Sequence, residues 1–244
     1  MKKYSCFILL SLCISINSCV NKKAETKEIG KIKVSRQDSV KLKKYIEQID
    51  VLPLFSTKRQ KYLDSFLLIL PSNAYAWQQK AMPLFKQKKY EVGMQYLDSA
   101  VKYDQTNHYL EYRAFIKCIF QKNYIAAIRD FDAIQKIKGN SYVMDHTYEF
   151  YKGLCFLQLN EFNKAEKLFS KNINEDRKKL GEKWINCSAL FYQGICFFEM
   201  DNYKQAMISF DECLKRYRNF TDAKVLQSNM FRKLWETRRG PIIN

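Results

Sequence analysis

Small, aromatic and aliphatic residues return along this chain at fixed intervals, with charged stretches between them. Counting from Ala74, the residues Trp77, Ala81, Leu84, Tyr90, Gly93, Leu97 and Ala100 stand at places 4, 8, 11, 17, 20, 24 and 27 of a unit 34 residues long. A second unit starts near His108 and puts Tyr124, Ala127 and Phe131 at places 17, 20 and 24. Its place 8 is Phe115, with the small Ala114 one step early, so its first helix is expected to be shifted. A third starts near His146, with Gly153, Phe156, Phe162, Ala165 and Phe169 at places 8, 11, 17, 20 and 24. A fourth starts near Cys187, with Gly194, Phe197, Tyr203, Ala206 and Phe210 at the same places. A weaker unit near Val40 puts Pro71 at its place 32. Starts at 40, 74, 108, 146 and 187 give periods of 34, 34, 38 and 41. The extra residues fall near Lys136–Ser141 and Asn174–Lys183, polar stretches expected to be loops between units. Thr221–Arg239 carries Ala223, Leu226, Met230 and Trp235 among many charges and reads as a terminal capping helix with a polar outer face.

These residue classes at these places resemble the tetratricopeptide repeat (TPR). The resemblance implies an all-α fold, a right-handed superhelical solenoid of antiparallel helix pairs, with about four to five repeats plus a C-terminal capping helix. It covers residues 39–73 as a degenerate N-terminal helix pair, 74–220 as the repeats and 221–244 as capping helix and tail. Lys88-Lys89, Lys122-Asn123, Asn160-Glu161 and Asp201-Asn202 supply polar turns just before the aromatic at place 17. Small residues at places 8 and 20 let the two helices of a unit approach: Ala81, Gly153 and Gly194, with Ala127, Ala165 and Ala206. One such unit cannot bury its apolar face alone, so the units must stack.

In this family the first helix of each unit lines a concave surface. Places 5, 9 and 12 read Gln78-Met82-Phe85, Tyr112-Ile116-Ile119, Phe150-Leu154-Leu157 and Phe191-Ile195-Phe198. Spacing of i, i+4, i+7 sets each trio on one helix face. With Tyr75 and Tyr109 at place 2, these positions outline an apolar and aromatic groove. It would run over Tyr75, Met82, Phe85, Tyr109, Tyr112, Ile116, Phe150, Leu154, Phe191 and Ile195. The family's carboxylate clamp, Lys at place 5 with Asn at place 9, is absent from all four units, which disfavours capture of an acidic C-terminal peptide. The same stripe also reads as core, covered by the capping helix or by residues 39–53, because large exposed apolar patches are rare in monomers.

Composition sharpens the class. Of 244 residues 47% are apolar, enough to offset the entropy of ordering a core, while Gly is 7 and Pro is 4, too few for a turn-rich β fold. The net charge of +17 suggests nucleic acid, but it is spread along the chain, and nucleic acid is not an expected partner. An N-terminal apolar run, Phe7 to Ile16, follows Met1-Lys2-Lys3 and has the length of a secretory signal core. It ends in Ile16-Asn17-Ser18-Cys19, which resembles a bacterial lipobox with Cys19 as the acylated residue; an ordinary signal peptide cut near Ser18 is the alternative. Residues 1–18 would then be removed, and 19–38 would form a basic tether. The expected location is the bacterial cell envelope, lipid-anchored, at the outer membrane facing the periplasm.

No chemistry asks for an active site. His108 and His146 each sit near a unit start, where a solvated helix start is expected, and they form no zinc motif. Asp130 and Asp132, or Asp211 and Glu212, read as exposed helix charges. After Cys19 there are five cysteines and no CxxC; Cys155 and Cys196 occupy like places in successive units, about 10 Å apart and too far for a disulfide. No metal and no cofactor are expected. The reading is a protein- or peptide-binding adaptor or assembly scaffold tethered to a membrane. The rivals are a structural homo-oligomer of the envelope and an enzyme built on helical repeats.

Overall fold

The computed structural model describes residues 34–239. The expected signal peptide, Cys19 and most of the tether lie outside the described residues, as does the tail after Arg239. Eleven α-helices follow one another: α1 Arg36–Val51, α2 Thr57–Ile69, α3 Ala74–Lys86, α4 Tyr90–Tyr103, α5 His108–Ile119, α6 Tyr124–Lys138, α7 Tyr148–Gln158, α8 Phe162–Leu180, α9 Cys187–Glu199, α10 Tyr203–Arg216 and α11 Thr221–Arg239. Each odd-numbered helix packs against the next, and each even-numbered one against the first helix of the following pair. The chain from Val34 onward is one compact unit with the architecture of an all-α TPR solenoid.

Helix starts are set by short polar side chains. Seven helices open on Ser, Thr or Asn whose side-chain oxygen accepts a first-turn backbone N–H: Ser35, Ser56, Asn73, Asn123, Thr147, Asn186 and Asn202. Such caps satisfy donors that a helix leaves free. Within pairs, the turn is closed by one left-handed residue: Lys88, Lys122, Asn160 and Asp201, each two before its second helix, have φ of 57–60°. The backbone then folds back, with Lys89 N donating to Leu84 O at 2.8 Å and Asn202 N to Phe197 O at 2.8 Å.

The α5–α6 pair differs by one residue. Its turn is Phe120–Asn123, four residues where 87–89, 159–161 and 200–202 have three. The extra residue rotates α5 relative to the repeat frame. Ala114 is accordingly buried at the crossing, and Phe115 is displaced to a half-buried position against Tyr151 and Phe120. Elsewhere the small residues lie at the crossings: Ala81, Ala127, Ala165 and Ala206 are fully buried. Gly153 faces the Phe169 ring, and Gly194 faces the Phe210 ring. Phe131, Phe169 and Phe210 fill the centre of the largest apolar cluster.

The insertions do not take the expected form. Asn174–Lys183 is mostly helix: α8 runs to Leu180, held by Glu175–Lys179 at 3.1 Å on its surface and by Ile173 in the core, and only Gly181–Asn186 leaves it. The first insertion begins after α6 at Gly139, whose φ of +69° suits glycine. It continues as a two-stranded antiparallel hairpin, β1 Tyr142–Val143 with β2 His146–Thr147. At the other end α1 starts at Arg36, capped by Ser35, inside the stretch read as tether. Residues 221–239 form one helix, with Ala223 and Met230 buried against the last repeat.

Candidate protein-binding face

The odd-numbered helices α5, α7 and α9 touch one another in turn, while successive even-numbered helices approach less closely, so the odd-numbered ones line the inner face of the curve. That face carries the groove residues read from the sequence, but it is not uniformly open. Tyr75 is exposed, and Met82, Tyr109, Tyr112, Leu154 and Ile195 are half-buried. Phe85, Ile116, Phe150 and Phe191 are buried and belong to the core. Tyr112, Phe150 and Phe191, which share place 5 of three successive units, therefore do not form a continuous open row.

Each burial has a local cause. Phe150 lies under the hairpin: the His146 ring stacks on it at 3.8 Å, with Phe169 at 5.6 Å and Tyr192 at 6.0 Å. Phe191 is covered by Phe220, 4.7 Å away in the connection to α11. Ile116 turns inward with the shifted α5. Phe85 takes the space left by Gly93, where an added Cβ would stand 2.6 Å from its ring. The covering groups, His146 and Phe220, sit in connections at the first and last places of their units, where the repeat pattern sets no residue class, so the periodicity gave no sign of them.

What stays open is a row along the inner face, Met82, Tyr112, Leu154 and Ile195, flanked by Tyr75 and Tyr109. Tyr112 joins two repeats, its hydroxyl donating to Met82 Sδ at 3.6 Å. The Tyr75 hydroxyl donates to Asp50 at 3.1 Å, and Asp104 accepts from the backbone N of Tyr109 at 2.7 Å. Burial raises the Tyr75, Tyr109 and Tyr112 hydroxyls above the ordinary tyrosine value, helped by Asp50 at Tyr75 and Asp104 at Tyr109. All three are thus neutral; Tyr75 and Tyr112 already give their protons to Asp50 and Met82, so their oxygens are left to accept from a backbone N–H, and the Tyr109 hydroxyl is the donor suited to a backbone carbonyl of a bound chain.

Charged struts also tie the helices together, and one of them, Asp130, reads from the sequence as an exposed helix charge. Asp130 is buried, not exposed: it accepts from Arg113 Nε and Nη2, both at 2.8 Å, and from Lys117 at 2.8 Å. Arg113 also reaches Asp98 at 2.8 Å, so one guanidinium ties α5 to α4 and α6. Asp132 pairs with Lys152 at 2.6 Å. Glu111, also buried, accepts from Tyr148 and from Lys138 at 3.2 Å, with His108 Nδ1 at 3.1 Å. Glu149 is held by Gln135 at 2.8 Å and Lys171 at 2.6 Å. Buried carboxylates need such partners, and here they fix helix to helix.

Cys155 and Cys196 are fully buried, and none of the five described cysteines is in a disulfide. Cys155 lies against Cys118 of the preceding repeat, with Sγ atoms 3.4 Å apart, and Cys118 approaches the Tyr151 carbonyl at 3.7 Å. The Cys118 contact and burial raise the Cys155 thiol; burial pushes Cys196 and Cys213 up to about 12. Cys155, Cys196 and Cys213 are thus thiols rather than thiolates, and they serve as core side chains.

His146 is half-buried, not a solvated helix start, and this gives the fold a pH dependence. Its Nδ1 lies 3.1 Å from Asn186 Nδ2, and burial lowers its pKa below the ordinary 6.5, against the opposing pull of Asp145 and Asp176. A lowered folded-state value means that the unfolded chain takes the proton first as pH falls. The stabilisation is complete above pH 6.5 and is lost as pH drops through the folded-state value. The urea midpoint should fall between pH 7.5 and 5.5, and His146→Gln should flatten that part of the profile; an unchanged slope would contradict this assignment.

Residues 188–219, which span α9 and α10, match the family profile described as tetratricopeptide repeat. In sequence, no curated protein matches the chain. In structure the chain is similar to a tetratricopeptide repeat protein from Parabacteroides merdae, at 16% identity and a TM-score of 0.62, covering 82% of this chain and 75% of that one. It is similar to MamA from Desulfovibrio magneticus at 15% identity and a TM-score of 0.59, covering 74% and 97%. YrrB, described as a TPR protein with an unusual peptide-binding site, aligns at 11% identity and a TM-score of 0.58, covering 77% and 87%. At these identities the likeness is one of fold.

Proposed function

We propose that this protein is a membrane-tethered adaptor that holds a segment of another protein along its inner face. The observation that carries the reading is the half-exposed row Met82, Tyr112, Leu154 and Ile195, which continues through four repeats. A TPR fold is a protein-interaction scaffold, and the similar fold of YrrB carries a peptide-binding site. With Phe150 and Phe191 covered, the face offers shallow apolar contact edged by tyrosine hydroxyls. An extended apolar segment fits that surface, taking area from the side chains and a hydrogen bond from the Tyr109 hydroxyl, and giving one to the Tyr75 oxygen. Tyr112→Ala and Leu154→Ser should each weaken partner capture by roughly tenfold or more while leaving the unfolding midpoint nearly unchanged. Capture that survives both changes would move the site elsewhere.

The tether reading rests on Cys19, in the run Ile16-Asn17-Ser18-Cys19. Acyl chains on its thiol and new N-terminus would anchor the domain, since two chains are needed for stable attachment at about 0.8 kcal/mol per buried CH₂. Cys19→Ser should release the protein from membranes or leave it unprocessed. A Cys19→Ser protein that fractionates with membranes in high salt as firmly as wild type would refute the lipid anchor.

A further inference from the structure

In a stack of antiparallel helix pairs, every connection from an even-numbered helix to the next odd-numbered one emerges on the same edge. Between α4 and α5 this connection is four polar residues, Asp104-Gln105-Thr106-Asn107. The fold needs no more than that. The next two connections are longer, and their additions are apolar and turned to solvent. Tyr142 and Met144 of the hairpin, Leu180 at the end of the lengthened α8, and Trp184 just beyond it are between 57% and 66% exposed. Lys178 and Lys183 stand beside them, exposed and, among the described residues, with no carboxylate partner; Lys183 Nζ lies 5.7 Å from the Trp184 ring centre.

The two connections form one braced surface. Asn186 meets His146 of the hairpin at 3.1 Å, and Val143 and Ile185 are buried in the same apolar cluster. From the other side Arg216 holds Glu182 by two contacts, Nη2 to the carboxylate at 2.9 Å and Nε to its backbone carbonyl at 3.2 Å. Trp184 is thus presented on a segment fixed at both ends.

We propose that this edge rests on an anionic lipid surface. Trp184, Leu180, Tyr142 and Met144 enter the headgroup layer, and Lys178 and Lys183 meet lipid phosphates. Amphipathic Trp and Tyr rings settle at that depth, and neighbouring lysines are drawn to negative headgroups. The four side chains stand at the ends of connections among lysines, an arrangement that matches a fluid charged interface. This proposal takes from the envelope reading only the presence of a membrane; it does not need the Cys19 lipid.

The test uses residues 34–244, which contain every described helix and lack both Cys19 and the basic segment after it. The probe is sedimentation with vesicles of phosphatidylcholine alone or mixed with phosphatidylglycerol. Binding is expected to the anionic vesicles and to weaken with added salt. Trp184→Ala and Leu180→Ser should each lower partition about tenfold at an unchanged melting temperature, the loss of one inserted apolar side chain. Lys178→Glu with Lys183→Glu should abolish it. Phe55→Ser, an exposed apolar residue in the α1–α2 connection on the opposite edge, should have no effect. The proposal is overturned by absent binding, by equal binding to neutral vesicles, or by a Phe55→Ser loss as large as that of Trp184→Ala. A protein partner lost with Trp184→Ala, without vesicle binding, would assign the edge to protein contact instead. Any of these failures leaves the Cys19 reading standing, because the tested chain lacks that residue.

Discussion

Phe150→Ala is expected to lower stability by about 3–5 kcal/mol, the cost of emptying a fully enclosed aromatic site. Phe150 is 2% exposed and touches the rings of His146, Tyr151, Phe169 and Tyr192, so its loss opens the junction between the α7–α8 and α9–α10 pairs. For a chain of this length the melting temperature should drop by about 10 °C. Phe191→Ala should follow in the same direction, since Phe220 and Phe210 close over it. Tyr112→Ala should cost much less, because Tyr112 is only partly enclosed. Thermal unfolding of the three variants decides the matter: three equal midpoints near wild type would mean that Phe150 and Phe191 face an open groove after all.

Gly194→Leu should also be damaging, by a different route. A Cβ at Gly194 would stand 2.6 Å from Phe210 Cε1, and one at Gly153 would stand 2.9 Å from Phe169. Both neighbours are fully buried rings with no room to withdraw. Overpacking of this kind costs about 1–3 kcal/mol, and a leucine here adds branches to a site too small for one methyl. Even Gly194→Ala should lower the midpoint measurably. Lys164→Leu, on the exposed face of α8, serves as the comparison, since its side chain is 62% exposed. If Gly194→Leu and Lys164→Leu melt together, the helix crossing is not where the glycine places it.

The sequence by itself determined the repeat. Small residues must stand where two helices cross, and aromatics must fill the space between pairs, so the pattern of Ala81, Gly153, Gly194, Ala127, Ala165 and Ala206 is written in residue size. Helix starts were also legible, because Asn73, Asn123, Asn186 and Asn202 cap the helices they precede. The one-residue shift of α5 showed in the exchange of Ala114 and Phe115. Only the tertiary structure decided which apolar residues of the inner face are open. Periodicity assigns a residue to a helix face; it says nothing of what another segment lays over that face. His146 reaches Phe150 from a hairpin that replaces the expected helix start, and Phe220 reaches Phe191 from a connection. The same limit hid Asp130 and Glu111, whose burial depends on cations from neighbouring helices, and it hid Cys118 beside Cys155. Burial of a side chain is a property of its neighbours in space, and for Asp130, Glu111 and Cys118 those neighbours include Lys117, Tyr148 and Cys155, 13 to 37 positions away along the chain.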